Sequence, residues 1–147
     1  MEITRAIPSD IPQLCRLLNS LFSQEAEFKP DPQAQTRGLS AIIASPDAGD
    51  ILVAHEGGQI IAMINLLYTI STALGERVAI LEDMVVVDSH RGLGVGSKLL
   101  NHALDFAQSQ DCQRITLLTD LSNDGAQRFY ERHGFERSTM VPFRWSS

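Results

Sequence analysis

Arg91-Gly92-Leu93-Gly94-Val95-Gly96 sets three glycines on alternate positions between an apolar run, Met84 to Val87, and a run of helical periodicity, Ser97 to Gln110. Glycine exposes its backbone N–H with no Cβ in the way, and a helix start offers further unpaired N–H groups at the positive end of its dipole. Strand, glycine loop and helix in that order make an anion site, and the ligand it suits best carries phosphate. Two common phosphate loops do not match. A dinucleotide fingerprint needs glycine where Ser97 stands, and a P-loop needs Lys-Ser or Lys-Thr after Gly96, where the chain reads Ser97-Lys98.

Just ahead of the loop, Glu82 and Asp83 interrupt the apolar run. A carboxylate in a strand is costly unless it is paired, solvated in a cleft or used in chemistry. Strand alternation predicts that the two point to opposite faces and hold separate roles; pairing with Arg77 or Arg114 is the structural alternative. Arg91 either adds cationic charge beside a diphosphate or is a surface arginine before a helix. Ser97 either donates to the same phosphates or caps the helix. Further on, Asn123 precedes Phe129-Tyr130 and Gly134-Phe135. A buried phenol can give a proton to a departing anion, which makes Tyr130 a candidate acid, whereas Phe129 and Phe135 read as core. His55, His90, His102 and His133 lack metal-ligand spacing. Cys15 and Cys112 are isolated, as expected of reduced thiols rather than of a disulfide framework or a zinc site.

The elements that must position these residues follow from periodicity. Ile3 to Ile7 reads as a strand. Ser9-Asp10 can cap a helix with Leu14, Leu17, Leu18 and Leu21 on one face, and Phe28 to Thr36 reads as a loop containing the next helix start, Asp31-Pro32. Ile51 to His55 and Gln59 to Tyr68 read as a hairpin turning at Glu56-Gly57-Gly58, and Val78 to Val87 as the next strand. The helix from Ser97 precedes a strand, Arg114 to Thr119, and a helix, Ser122 to Arg132, that Gly134 ends in the left-handed conformation. Phe135 to Trp145 supplies terminal strand material. This order predicts an α+β fold with one mixed central sheet and helices packed on it. At 147 residues and 44% hydrophobic, the chain can fill one core, so 1–147 is expected to be a single domain. A net charge of -6 argues against a nucleic-acid partner and suits a cationic one. No apolar stretch approaches the roughly 20 residues that span a bilayer, and no signal-peptide core precedes the first strand, so no membrane partner and a cytoplasmic location are expected.

Arg91-x-x-Gly94-x-Gly96 resembles the pyrophosphate motif of the GNAT family, N-acetyltransferases that move an acetyl group from acetyl-CoA to an amine. Leu81 through Ser97, the Asn123, Tyr130 and Gly134-Phe135 signature, and the element order all share the likeness. It implies a GNAT-like sheet that is largely antiparallel, with acetyl-CoA as co-substrate and no metal. It implies that the backbone of Met84, Val85, Val86 and Val87 holds the pantetheine, that Arg91, Gly92, Leu93, Gly94, Val95, Gly96 and Ser97 hold the pyrophosphate, and that Asn123 contacts CoA. Tyr130 would protonate the thiolate, and a backbone N–H near Met84 to Val86 would polarise the carbonyl. Leu81-Glu82-Asp83 is similar to the polyamine and thialysine branch, which implies Glu82 as base, Asp83 as a ligand of the amine, and a small cationic primary amine as acceptor. A protein or peptide acceptor and a non-catalytic acyl-CoA sensor remain the alternatives. The sequence neither supports nor excludes a homodimer, and it leaves Trp145 either at the sheet end or at a dimer contact.

Overall fold

The computed structural model describes residues 1–25 and 29–147, and it turns the hydrophobic pattern into one five-stranded sheet with helices on both faces. Its elements are β1 (Glu2–Arg5), α1 (Ile11–Gln24), α2 (Pro32–Ala44), β2 (Gly49–Glu56), β3 (Gln59–Ser71), β4 (Glu76–Val86), α3 (Val95–Ser109), β5 (Ile115–Leu117) and α4 (Asp124–Arg132). The strands lie in chain order. The first four pair antiparallel and β5 pairs parallel to β4, with α3 as the crossover that a parallel pair requires.

Alternation along the strands feeds two cores. Leu52, Ala54, Ile64, Leu66 and Leu81 pack with Leu99, Leu100, Ala103 and Ala107 of α3. On the other face, Ile51, Val53, Ile60 and Met63 pack with Leu14, Leu17 and Leu18 of α1 and Leu39 of α2. Each buried aliphatic side chain contributes about 1.5–3 kcal/mol, and together they fix which face each strand residue takes. The β2–β3 hairpin turns as expected, on Gly57 and Gly58 at φ 58° and 78°. Asp31 caps α2 by accepting from the Ala34 N–H, and Gly134 follows α4 at φ 92°. Among the described residues no helix is long and apolar enough to cross a membrane.

Four expectations are corrected. Asp10 makes no side-chain cap on α1; residues Pro8–Asp10 form a short 3-10 turn in which the Asp10 carboxylate accepts from the Ile7 N–H. The start of α3 is Val95, not Ser97, because Gly94 enters the left-handed region at φ 83° and starts the helix without a side-chain cap. The loop expected over Phe28 to Thr36 ends at Asp31, and its Phe28 lies outside the described residues. No strand forms over residues 135–145, since those residues have no neighbouring strand to bond.

At one end of the sheet Gly49 lies against β3. A Cβ there would stand 2.5 Å from the Leu66 carbonyl oxygen, a backbone atom with nowhere to go. Gly49→Ala is expected to cost about 1–3 kcal/mol and lower Tm by about 3–10 °C in a thermal melt, and an unchanged Tm would contradict this close approach.

Candidate active site

The register of β4 changes midway. It pairs with β5 only through Ala79, Ile80 and Leu81, so from Glu82 onward that edge carries backbone groups with no strand beside them. On the β3 side the register steps from Met63↔Val85 to Asn65↔Glu82, two residues of β3 against three of β4. The extra residue is a β-bulge, with Asp83 in the left-handed region at φ 53°. It reverses parity: Ala79 and Leu81 face α3, and beyond the bulge Met84 and Val86 do so while Val85 joins the α1 face. The simple alternation expected for Glu82 and Asp83 therefore fails, because the bulge lies between them and the rest of the strand.

Glu82 is exposed and Asp83 is partly buried. The Asn65 side-chain N–H donates to Asp83 Oδ2 at 2.6 Å. Burial pushes the Asp83 carboxyl up to about 6, helped by the negative charges of Glu82 and Glu25 and opposed by the Asn65 bond. Asn65 is itself 1% exposed, and its Oδ1 has no hydrogen-bond partner among the described residues. Sequence reasoning missed Asn65 and Glu25. The signal for Asn65 was a lone amide inside the apolar run from Ile60 to Leu67; Glu25 had none.

The loop continues from the far end of β4. Its Gly92 and Gly94 take φ 76° and 83°, with no atom within 4 Å of where a Cβ would sit. No side chain caps α3, so the N–H groups of its first turn are open to an anion. Gly96 serves packing: a Cβ there would lie 3.4 Å from Met84 Cε and 3.7 Å from Phe129 Cζ, so its absence lets α3 approach β4 and α4 closely. Arg91 is exposed, with Nε donating to the Val86 carbonyl at 3.2 Å and 3.3 Å from Asp88 Oδ1, which holds its charge beside the loop. Val95 is buried in the α3 core, Leu93 is exposed and Ser97 is partly buried.

From α4, Tyr130 reaches the same strand. Its hydroxyl donates to Met84 Sδ at 3.7 Å, and its ring lies edge-on to Phe129 and Phe135 at 5.3 and 5.5 Å. Burial pushes the phenol up to about 12, so it keeps its proton through the neutral range. Asn123 caps α4, its Oδ1 accepting from the Ala126 N–H at 3.0 Å. The structure thus gathers Met84, Val86, Gly96 and Tyr130 at the mouth of the β4 opening, with Asp83 one residue behind. On the α1 face a cleft of about 480 Å³, lined by Gln13, Arg16 and Ser20 of α1 and by Val85 and Val87 of β4, runs beside the same stretch of strand.

Comparison with known proteins points the same way. Residues 11–135 match the family model for the Acetyltransferase (GNAT) family. The uncharacterized N-acetyltransferase YhfO of Bacillus subtilis is 33% identical over 142 residues, 95% of this chain and 92% of that protein. The aminoalkylphosphonate N-acetyltransferase of Salmonella typhimurium is 26% identical over 137 residues, 93% of this chain and 86% of that one. Among solved structures, a putative acetyltransferase from Agrobacterium tumefaciens is 27% identical and superposes over 100% of both chains with a TM-score of 0.84. An open strand edge, an uncapped helix start behind a glycine loop, and a match across residues 11–135 make this chain a member of the GNAT family of acetyltransferases.

Proposed function

We propose that this acetyltransferase carries acetyl from acetyl-CoA to the primary amine of a small cationic acceptor, with Asp83 taking the amine proton and Tyr130 returning a proton to the leaving sulfur. The observation that carries the reading is Asp83 itself. It sits at the bulge beside the open edge of β4, with its carboxyl raised to about 6. A base works best when its pKa lies near the operating pH, and an ammonium must lose a proton before its nitrogen can attack. Sequence alignment of motifs gave this role to Glu82. Glu82 is exposed, and together with Glu25 it is better suited to drawing in a cation.

The chain's residues fit acetyl-CoA, whose thioester supplies the activated acetyl group. Two left-handed glycines with open space at their Cβ positions and an uncapped helix start can receive a diphosphate, with Arg91 beside them. The unpaired edge of β4 from Met84 to Val87 can bond an amide-bearing arm as an added strand would. A bulge leaves a backbone group outside the ladder, so an N–H there can polarise a carbonyl oxygen. Asn123 spends its Oδ1 on the cap of α4 and keeps its amide N–H groups for the ligand. Tyr130 holds its proton until a thiolate forms beside it.

Release of free CoA across polyamines, lysine analogues, aminoglycosides and peptides tests the acceptor class. Turnover confined to peptides would replace the small cationic amine with a protein substrate, and none with any amine would favour a sensor. Asp83 must be deprotonated to act, so kcat/KM should fall as pH drops through about 6. In Asp83→Asn, kcat should fall by about 10²–10⁴-fold and that acid limb should vanish, while Glu82→Gln mainly raises KM for the amine. The opposite pattern would return the base role to Glu82. Tyr130→Phe should lower kcat by about 10²-fold with little change in KM for acetyl-CoA, and unchanged turnover would remove its acid role.

A further inference from the structure

The fold leaves an apolar segment uncovered after α4. Val141, Phe143 and Trp145 stand on alternate positions and are 73%, 95% and 86% exposed, with Met140 at 86%. Period-two apolar spacing belongs to a strand with one face against a core. The described chain gives this segment no core and no neighbouring strand.

The complementary surface is β5. Its sequence reads as a strand over Arg114 to Thr119, yet only Ile115–Leu117 forms, bonded to β4 on one side and last in the sheet on the other. Leu118 and Leu121, just beyond it, are 65% and 77% exposed. Each chain therefore carries an open sheet edge and an apolar strand segment that does not cover it. A bare edge beside exposed leucines would recruit other chains without limit unless something closes it.

We propose that the chain is a homodimer in which the tail of each copy, residues 136–145, pairs along the outer edge of the other copy's β5, laying Val141, Phe143 and Trp145 over Leu118 and Leu121. The exchange is two-fold symmetric and consumes both open elements of both copies, so it closes instead of propagating. An aromatic side chain buries about 150–250 Å², so these residues in two copies would bury on the order of 1,500 Å². That falls within the range of roughly 1,200–2,000 Å² typical of stable interfaces. The tail starts at Phe135, edge-on to Tyr130 at 5.5 Å, so the exchange would also fix the wall of the active site. The inference does not depend on the acceptor or on the assignment of the base.

Sedimentation equilibrium of the full chain tests it. At about 100 μM the mass should be near twice 16.2 kDa, and a monomer would overturn the proposal. F143S/W145S changes two exposed side chains and should give a monomer with an unchanged circular dichroism spectrum. A dimer that survives this change forms through another surface and also overturns the proposal. L118E, acting on the receiving edge, should likewise be monomeric. Mixed together, the two variants share one intact tail and one intact edge, and should associate more tightly than either does alone; no association on mixing would rule out the exchange. Amide exchange at Ile115–Leu117 should slow with rising concentration in the unaltered chain. Slow exchange independent of concentration would mean that the tail folds onto its own β5.

Discussion

Between Met63 and Asn65, β3 advances by two residues while β4 advances by three, and the added residue turns one strand into two functional halves. Before it, β4 has a strand on each side and its inward residues face α3. After it, one edge is open, and the phase of the side chains has flipped so that Val85 seals the α1 core while Met84 and Val86 seal the α3 core. A carboxylate at the switch belongs cleanly to neither face, and so it is half withdrawn from water without being sealed in. Holding a non-glycine residue at φ 53° costs on the order of 1–3 kcal/mol. The neighbour that bears this cost is β3, whose residues from Ile60 to Leu66 are at most 1% exposed and packed from both sides.

The other half of the sheet is bound as firmly as this half is open. Asp50, 5% exposed, accepts from Arg5 Nε at 2.8 Å and from the Tyr68 hydroxyl at 2.5 Å, while the Arg77 guanidinium lies 4.5 Å from the centre of the Tyr68 ring. Burial first, and then Asp50, push the Tyr68 phenol up, so it stays a donor. These residues come from β1, β2, β3 and the first turn of β4, and they join the strands where β4 still has β5 beside it. Charge-assisted bonds to a buried carboxylate are worth more than neutral ones, and leaving that carboxylate unpaired would be costly. Splaying of the sheet is thereby confined to one end.

What could be read in advance followed from whether a feature has its own residue type. The glycine loop was legible because only glycine combines bare N–H groups with left-handed backbone, and the Gly57-Gly58 turn and the Gly134 helix end were legible for the same reason. The bulge has no residue of its own. Asp tolerates the left-handed region better than most side chains, but the firmer sign was the shift of apolar parity from Ala79 and Leu81 to Met84 and Val86, visible only once the helix facing each side is known. Asn65 was a lone amide in an apolar run, a polar group that tertiary structure had to answer. Residues 135–145 were read as a strand from a pattern that is present, but strand formation depends on a partner that the chain does not supply to itself.

Charge along β4 completes the division of labour. At one end stand the uncapped start of α3 and Arg91, an environment that favours anions; at the bulge, Glu82 and Glu25 add negative potential around Asp83. A unit charge about 4 Å from another is worth about 4 kcal/mol at an effective dielectric of 20, enough to orient a charged ligand before any close contact forms. On the proposed reading, a diphosphate and an ammonium would each be repelled from the other's end of the strand. Two substrates so placed can be held at once with their reacting groups meeting near Met84, and the acetyl group can pass between them without a covalent stop on the protein. The bulge is what makes both ends available on a single strand edge: without its extra residue Asp83 would keep the phase of Leu81 and face the α3 core, and the acidic end would lose its base.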